Sequence, residues 1–409
     1  MTGSELVRGD RSDRNGPFLA GSLLALGVEP AEIRIVGDRA EDILPALAAG
    51  LERDVLVVSG GLGPTHDDRT VELLAEAAGR PLELDPALES RIEERSRAVA
   101  GRLRRPYADF SAGVKKQATV PQGSVVAGLA GTAPALVLDL GGRVAVALPG
   151  PPGELQALWP AVLETDPMRR LLDRAAPTVR RVLRFYGVGE STVAQALDDA
   201  GGDGDGVEVT ICARDFELHV DLFAAPGAES RAAELESRLV APVREYLFGT
   251  TEASVEELVL ALCRERGLKL GTAESCTGGL VAARLTSVPG SSDVFAGGIV
   301  AYANEVKEAG LGVPADLLRT HGAVSAEAAS AMARGARERL SVDVAVSVTG
   351  IAGPGGGTQE KPVGLVYLCA AGADAERGMD FQIPGDRETI RARAAVAALH
   401  LLRRFVTDL

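Results

Sequence analysis

Uninterrupted apolar strands that alternate with helical segments are the feature that most limits the fold of the first third of this chain. Residues 33–37 (IRIVG) and 54–59 (DVLVVS) read as strands, with a helix between them at residues 40–53. Strands that are apolar throughout are buried on both faces, which is typical of a mostly parallel sheet covered by helices. The sequence therefore predicts a doubly wound α/β domain over residues 1–168.

A glycine-rich loop, GGLGPTHDD, follows the strand at residues 54–59 and leads into a helix from about Thr70. Loops of this kind bind phosphates in doubly wound sheets, and the adjacent carboxylates of Asp67 and Asp68 suit a divalent metal. The alternative is a plain glycine turn in which an aspartate caps the next helix. The residues alone leave both interpretations open.

The run at residues 271–307 predicts a second pocket. Its front half reads as a strand at residues 268–272, a tight turn, and a helix that begins near Thr277. Two candidate nucleophiles, Ser275 and Cys276, lie where this helix starts, and the two glycines after Thr277 let the backbone approach a ligand. Backbone N–H groups at a helix start would stabilise an oxyanion there.

A nucleophilic serine needs a base, and none of the four histidines lies in this run. Lysine occurs at five positions against 38 arginines, which suggests that it is kept where an amine must lose its proton. Lys307 is therefore the candidate base. The alternative is a surface lysine on a helix that begins near Asn304.

The end of the chain contributes a loop and a helix to this predicted α/β domain, which spans residues 254–409. An apolar strand at residues 342–348 ends in TGIAGPGGG, a flexible loop placed to close over the pocket. The final helix, residues 387–406, is expected to be capped by Asp386. Arg387 then either reaches a substrate phosphate or is an exposed first-turn arginine.

Charge and hydropathy exclude several classes of protein. The formal net charge of −14 opposes a general nucleic-acid role, because phosphate binding needs a positive surface. No apolar run reaches the length that crosses a bilayer, and the first residues do not resemble a signal peptide, so we expect a cytoplasmic protein that does not bind membranes. The four cysteines form no CxxC pair, which favours reduced thiols.

A small α+β module is predicted at residues 177–250. It resembles a KH domain, but it carries 7 arginines and no lysine against 13 acidic residues and lacks the basic GxxG loop that binds nucleic acid. A spacer or a contact between two copies therefore fits this module better than RNA binding.

Five motifs near the end of the chain resemble the CinA C-terminal domain, the nicotinamide mononucleotide (NMN) deamidase family. They are residues 273–279 (AESCTGG), 302–307 (YANEVK), 321–325 (HGAVS), 349–354 (TGIAGP) and 385–387 (GDR). The resemblance implies Ser275 as nucleophile and Lys307 as its base, with further polar site residues at Tyr302, Thr349 and Arg387. It implies substrate contacts at Thr277, Gly278, Gly279, Gly350 and Gly353.

Six motifs in the first domain resemble the CinA N-terminal domain, a relative of MoaB/MogA-like molybdopterin-binding domains. They are residues 13–15 (DRN), 37–38 (GD), 67–68 (DD), 116–118 (KQA), 131–134 (GTAP) and 149–154 (PGPPGE). That family includes metal-dependent ADP-ribose pyrophosphatases. The resemblance therefore implies a divalent metal at Asp67, Asp68 and Glu154, and substrate contacts at Asn15, Gly60, Gly61 and Gly63.

The first domain departs from this family at its start. Relatives begin with an apolar strand that leads into a VGTELL-like turn, whereas this chain begins MTGSEL, inside that turn. Without the strand, its neighbours would have unpaired backbone groups and an open groove between them. Either the start lies further upstream or the domain is impaired.

The function implied by these resemblances is hydrolysis of the NMN carboxamide to nicotinic acid mononucleotide and ammonia, without a cofactor. A second, metal-dependent ADP-ribose pyrophosphatase activity in the first domain would suit a protein that recycles NAD. The expected partners are these small nucleotides and a second copy of the chain. The alternative is a nucleotide-binding or scaffold protein of competence or DNA damage with little catalysis.

Overall fold

The computed structural model describes residues 1–176 and 178–409, except the side chains of Leu103, Asp109 and Ala112. The chain divides into two units, Met1–Arg180 with Ala224–Glu229 and Arg181–Phe223 with Ser230–Leu409. Pro177, where the sequence analysis begins the middle domain, lies outside the described residues. Among the described residues, no helix is both long enough and apolar enough to cross a membrane.

The N-terminal unit is built around a sheet with the strand order β1-β6-β5-β4. Its strands, together with a separate β2–β3 pair, are β1 (Val55–Ser59), β2 (Leu82–Leu84), β3 (Thr119–Pro121), β4 (Ser124–Ala130), β5 (Ala133–Asp139) and β6 (Val144–Leu148). Its helices are α1 (Ser4–Val7), α2 (Asn15–Ala25), α3 (Ala40–Leu51), α4 (Thr70–Ala77), α5 (Pro86–Leu103), α6 (Ala108–Ala118), α7 (Pro152–Leu163) and α8 (Asp166–Leu172).

Both faces of this sheet are buried, as the apolar strands predict. Along β5, Leu136 faces one apolar cluster and Val137 the other. The expectation of a mostly parallel sheet is wrong, however, because only the β1–β6 pair is parallel. The turns that join β4 to β5 and β5 to β6 are too short for the crossover that parallel strands require.

Residues 33–37, expected to form a strand, do not form one. Val36 makes a single parallel bridge with Thr2, and Ile33 and Ile35 are 48% and 41% exposed. The segment therefore pairs through one bridge and not through a ladder. A groove of about 690 Å³ lies beside the β1 edge and is lined by apolar side chains such as Leu23.

The middle of the chain forms a sheet with the order β10-β7-β9-β8. Its elements are β7 (Val179–Phe185), α9 (Glu190–Ala200), β8 (Val207–Arg214), β9 (Glu217–Ala224), α10 (Glu229–Val240), a 3₁₀ turn (Ala241–Tyr246) and β10 (Leu247–Gly249).

The C-terminal region is a three-layer α/β structure around the strand order β12-β11-β13-β14-β15. The strands are β11 (Leu270–Glu274), β12 (Phe295–Val300), β13 (Val344–Gly350), β14 (Leu365–Ala371) and β15 (Glu376–Gln382). The helices are α11 (Val255–Glu265), α12 (Leu280–Thr286), α13 (Asn304–Leu311), α14 (Ala315–His321), α15 (Ala326–Leu340) and α16 (Arg387–Asp408).

The first three strands of this sheet are parallel, and β11 lies between β12 and β13. Alternate residues of β13 explain the layering: Val346 faces the cluster that contains α11 and α16, whereas Ala345 faces α15. Parallel strands place their carboxyl ends at one edge of the sheet, where open α/β sheets bind ligands. Residue 275, which directly follows β11, therefore lies at the carboxyl edge of the sheet.

A buried carboxyl–imidazole pair joins β9 to α16. The Oε1 atom of Glu217 lies 2.7 Å from Nε2 of His400, whose ring stacks on Tyr186 with 3.7 Å between centroids. Burial raises the pKa of Glu217 to about 7 and lowers the pKa of His400 to about 2. The pair is therefore neutral in weakly acidic solution, with its proton on the carboxyl group.

The Glu217→Gln variant is expected to gain stability relative to the wild type as the pH rises. Unfolded Glu217 ionises near pH 4.5, whereas the folded group keeps its proton up to about pH 7. Between these two pH values the free energy of unfolding of the wild type falls by on the order of 3 kcal/mol, because the unfolded state releases the Glu217 proton first. Glutamine has no proton to release, so the variant does not lose this stability. Urea unfolding of both proteins at pH 4.5 and pH 7.5, followed by circular dichroism, measures the change. A stability difference that stays constant, as expected for a control substitution at the exposed Glu208, would contradict the assignment.

Candidate functional site

Ser275 stands at the carboxyl edge of the C-terminal sheet, one residue beyond β11. Its N–H donates to the carbonyl of Val348 on β13 at 2.8 Å, which continues the strand pairing to this position. The side chain is 8% exposed, so its hydroxyl is sheltered but accessible. The central position of β11 in the sheet thus fixes the main chain on which this hydroxyl stands.

Lys307, from the first turn of α13, places its amine on this hydroxyl. Its Nζ atom lies 3.0 Å from Ser275 Oγ, 2.8 Å from the carbonyl oxygen of Ala301 and 3.3 Å from that of Tyr302. Lys307 is 1% exposed, so the surface-lysine alternative is wrong. Among the described residues, no carboxylate forms an ion pair with it.

The charge state of this amine follows from its surroundings. Burial lowers the pKa of Lys307, because the ammonium form loses hydration and gains no carboxylate partner. A neutral amine has two hydrogens and one lone pair. If the hydrogens go to the carbonyls of Ala301 and Tyr302, the lone pair is directed at the Ser275 hydroxyl, which is the arrangement that a general base requires.

Cys276, the rival nucleophile, is packed into the core. Its side chain is 5% exposed and belongs to the apolar cluster under α16. Burial raises the pKa of this thiol to about 11, so the thiolate that would attack is scarce at neutral pH. The two adjacent side chains therefore differ in their surroundings: Ser275 contacts the amine of Lys307, and Cys276 packs in the apolar core.

The loop after Ser275 differs from expectation at the start of its helix. The helix begins at Leu280 rather than near Thr277, because Gly278 and Gly279 have positive φ angles of 60° and 99°. Their N–H groups, expected to face an oxyanion, donate to Ser275 O at 3.0 Å and to Glu274 Oε2 at 2.9 Å. Both glycines therefore turn the chain.

The side chain of Glu274 accepts hydrogen bonds from the N–H groups at the start of α12. Its carboxylate is 1% exposed and also accepts from the N–H groups of Val281 and Ala282, at 3.1 and 2.8 Å. An internal anion thus caps α12 in place of a ligand. In residues 275–279 of the described chain, only the N–H groups of Cys276 and Thr277 donate to no carbonyl or carboxylate.

Arg387 and Tyr302 form the exposed rim of the site. Arg387 follows its cap Asp386, which accepts from the N–H of Thr389 at 2.8 Å as predicted. The guanidinium donates to Gly353 O at 2.7 Å and to Tyr302 Oη at 2.8 Å. Tyr302 is 60% exposed. The carbonyl oxygen of Tyr302 also accepts from Lys307, so Tyr302 contacts Arg387 through its hydroxyl and Lys307 through its main chain.

Thr349 and Gly350 support the site from β13. The hydroxyl of Thr349 is buried and donates to the carbonyl of Ala323 at 2.6 Å. Gly350 lies against β14, where a Cβ atom would come 2.8 Å from the Leu365 carbonyl. Thr277 is fully buried as well, and its hydroxyl has no partner among the described residues.

Two further residues of this site, Glu274 and Arg391, are not among those predicted from sequence. Glu274 lies inside the AESCTGG motif, next to the candidate nucleophiles. Arg391, half-buried on α16, donates from Nε to Cys276 O at 3.0 Å and from Nη2 to Thr277 O at 2.8 Å. Its position four residues after Arg387 puts it on the same helix face, which is the signal that would have found it.

The N-terminal unit has a separate cavity of about 800 Å³. Its lining brings together these predicted residues: Asn15, Gly60, Gly61, Gly63, Asp67, Asp68 and Glu154. Asn15 donates from Nδ2 to Ser59 Oγ at 3.0 Å and to Gly150 O at 2.8 Å, which leaves its buried Oδ1 atom without a partner. The cavity is large enough for a nucleotide.

The carboxylates of this cavity do not form the expected metal site. Asp67 and Asp68 both lie within hydrogen-bonding distance of the Thr65 hydroxyl, whose single hydrogen goes to one of them at a time. The bond to Asp67 lowers the pKa of Asp67, and burial raises the pKa of Glu154. Within residues 1–176 and 178–409, no three His, Cys, Asp or Glu side chains are grouped to hold a metal ion. The residues present thus do not fit a protein-held divalent metal.

Comparison with known proteins covers the whole chain. Three family models match: "Probable molybdopterin binding domain" at residues 1–169, "Damage-inducible protein CinA KH domain" at 180–250 and "CinA C-terminal domain" at 252–406. A CinA-like protein of Mycolicibacterium vanbaalenii is 44% identical over 100% of this chain and 97% of its own length. One of Mycobacterium tuberculosis is 43% identical with the same coverage. The solved structure of the competence/damage inducible protein CihA from Agrobacterium tumefaciens is 41% identical, covers 39% of this chain and 99% of its own, and has a TM-score of 0.37.

Proposed function

The chain belongs to the CinA family, and we propose that its C-terminal domain is a nicotinamide-nucleotide amidohydrolase that converts NMN to nicotinic acid mononucleotide and ammonia. One observation carries the proposal: a buried lysine amine lies 3.0 Å from the hydroxyl of Ser275. A serine paired with a neutral lysine is a nucleophile–base arrangement of acyl transfer. The carboxamide of NMN is a substrate of that chemical class.

In the first half of the proposed reaction, neutral Lys307 removes the proton of Ser275 as Oγ attacks the carboxamide carbon. The carbonyl oxygen becomes an oxyanion, which we assign to the N–H groups of Cys276 and Thr277, since neither donates to a carbonyl or a carboxylate. When the intermediate collapses, the C–N bond breaks and the Lys307 ammonium returns its proton to the leaving nitrogen. Ammonia departs, and an ester on Ser275 remains.

In the second half, Lys307 removes a proton from a water molecule, which attacks the ester carbon. The bond to Oγ breaks, and the lysine gives its proton back to Ser275 as nicotinic acid mononucleotide is released. All protons pass through one amine, and no cofactor enters the sequence of steps. The same lysine thus acts as base and acid in turn.

Substrate selection in this proposal rests on the rim. Arg387 is a cation that donates a hydrogen bond to the hydroxyl of the exposed Tyr302, and a guanidinium binds phosphate through two parallel N–H groups. The phosphate of NMN is assigned to Arg387. The start of α12 is closed to it, because the Glu274 carboxylate already occupies that position.

The test is ammonia release by the purified full chain with NMN and, as a matched substrate without phosphate, nicotinamide riboside. We expect turnover of NMN in the presence of a chelator and much slower turnover of the riboside. A folded protein that releases no ammonia from NMN would refute the amidohydrolase and leave a nucleotide-binding or scaffold role. Light scattering of the same preparation tests the homodimer that belongs to this proposal.

A second candidate function concerns the N-terminal domain, where the cavity and the unpartnered Oδ1 of Asn15 favour a bound nucleotide. We propose that this domain binds ADP-ribose. The resemblance also implies hydrolysis of the diphosphate of ADP-ribose, which would link this domain to NAD recycling. That reaction needs a metal ion, and the carboxylates of the cavity do not fit one. Calorimetry with ADP-ribose, with and without Mg²⁺, is expected to detect binding that Asn15→Leu weakens at least about tenfold. Absence of binding under both conditions would end this assignment.

A further inference from the structure

We infer that Arg391 is a positioning residue for Ser275: its guanidinium holds the two peptide groups after the nucleophile so that the N–H of Thr277 is fixed as an oxyanion donor. The inference deepens the proposed amidohydrolase function and rests on it. It starts from two hydrogen bonds, from Nε to Cys276 O at 3.0 Å and from Nη2 to Thr277 O at 2.8 Å.

Peptide planarity turns these carbonyl contacts into control of N–H groups. The carbonyl of Cys276 and the N–H of Thr277 belong to one trans peptide and point in opposite directions. Holding the oxygen on the Arg391 side therefore directs the Thr277 N–H away from Arg391. In the same way, the contact with Thr277 O orients the N–H of Gly278, which donates to Ser275 O at 3.0 Å.

Most N–H groups of this loop are already paired with oxygen acceptors, and those of Cys276 and Thr277 contact the Cys276 thiol, which is only a weak acceptor. Ser275 N–H is paired with Val348 O, Gly278 N–H with Ser275 O, and Gly279 N–H with the Glu274 carboxylate. Within residues 275–279 of the described chain, the N–H groups of Cys276 and Thr277 alone donate to no carbonyl or carboxylate. The N–H of Thr277 belongs to the peptide group whose carbonyl oxygen, that of Cys276, accepts a hydrogen bond from Arg391.

The chemistry of arginine suits this task. Its planar fork reaches two successive carbonyl oxygens at once, and a single lysine amine lacks that fixed geometry. The loop is also shaped to receive it, because a Cβ atom at Gly278 would lie 3.4 Å from Nη2 of Arg391. Arg391 comes from the second turn of α16, a helix buried for most of its length, so the guanidinium has a rigid support.

The experiment compares Arg391→Ala, Arg391→Lys and the control Arg393→Lys in the full chain, with NMN as substrate. Arg393 lies on the same helix, but its guanidinium faces the ring of Phe216 at 4.8 Å. We expect Arg391→Ala to lower kcat by about 100-fold with little change in KM, since an oxyanion donor acts in the transition state. Arg391→Lys should restore part of kcat, and the control should match the wild type.

A second measurement separates this inference from the proposed function. Amide hydrogen exchange of a peptide spanning residues 275–279 is expected to accelerate in Arg391→Ala and to stay unchanged in Arg393→Lys. If the wild type does not hydrolyse NMN, the proposed function fails, and exchange alone decides whether Arg391 fixes the loop. Unchanged exchange, or a loss of activity that appears only in KM, overturns the positioning role.

Discussion

Ser275→Ala is expected to lower the rate of ammonia release from NMN by on the order of 10⁴-fold or more, because the variant loses the atom that forms the acyl-enzyme. Removal of one buried hydroxyl leaves the amine of Lys307 bound to the carbonyls of Ala301 and Tyr302, so the fold should survive. The measurement is the initial rate of ammonia formation at saturating NMN.

Cys276→Ala is the matched control for this substitution, since it alters the adjacent residue on the same loop. The thiol is buried, and its pKa is raised to about 11, so we expect the variant to keep activity within about tenfold of the wild type while losing some stability from the smaller core side chain. Mass spectrometry after brief mixing with NMN should find the acyl group on the peptide that contains Ser275. A dead Cys276→Ala protein with an active Ser275→Ala protein would reverse the assignment of the nucleophile.

Lys307→Arg is expected to lower kcat by about 10³-fold or more, because a guanidinium stays charged at every usable pH and accepts no proton. Lys307→Met, which has similar length and no charge, should be equally inactive, since it also lacks a lone pair. The pair of variants separates loss of the base from loss of the positive charge. Substantial activity in either protein would show that another group removes the Ser275 proton.

The wild-type pH profile tests the same assignment with its sign fixed in advance. Lys307 acts as a base only when it is deprotonated, so kcat should fall as the pH drops through the pKa of the amine. Burial lowers that pKa from its usual 10.5, which moves this acid limb toward neutrality. A rate that rises on acidification through the same range would contradict a lysine base.

The pairing of Ser275 with Lys307, now seen as a contact of 3.0 Å, was predictable from sequence because each residue belongs to a local pattern. Ser275 follows an apolar strand and precedes two glycines, and Lys307 is one of only five lysines. The cap of α16 was likewise predictable, since Asp386 accepts from the N–H of Thr389. Such features depend on a few consecutive residues and on residue types with narrow chemical uses.

Features that depend on long-range pairing were less predictable. In the sheet that contains β1, only the β1–β6 pair is parallel, because short hairpins set the remaining pairs, and residues 33–37 make a single bridge and no ladder. In the C-terminal domain, α12 begins at Leu280 because two glycines with positive φ precede it, and Glu274 accepts from three N–H groups at that start. The hydrogen bond from Arg391 to Thr277 O joins residues that are 114 positions apart in the sequence.

The amine of Lys307 is hydrogen-bonded to the main-chain carbonyl oxygens of residues 301 and 302, and every amino acid has a carbonyl oxygen of this kind. A substitution at position 301 therefore keeps the carbonyl oxygen that contacts Lys307 as long as the main chain keeps its course, although the full burial of Ala301 leaves room only for a small side chain. In the proposed mechanism Lys307 has no such substitute, because its side-chain amine is the group that moves the proton. A search for distant proteins with the same chemistry should therefore weigh the spacing between serine and lysine, and the shape of the turn, above the letters that lie between them.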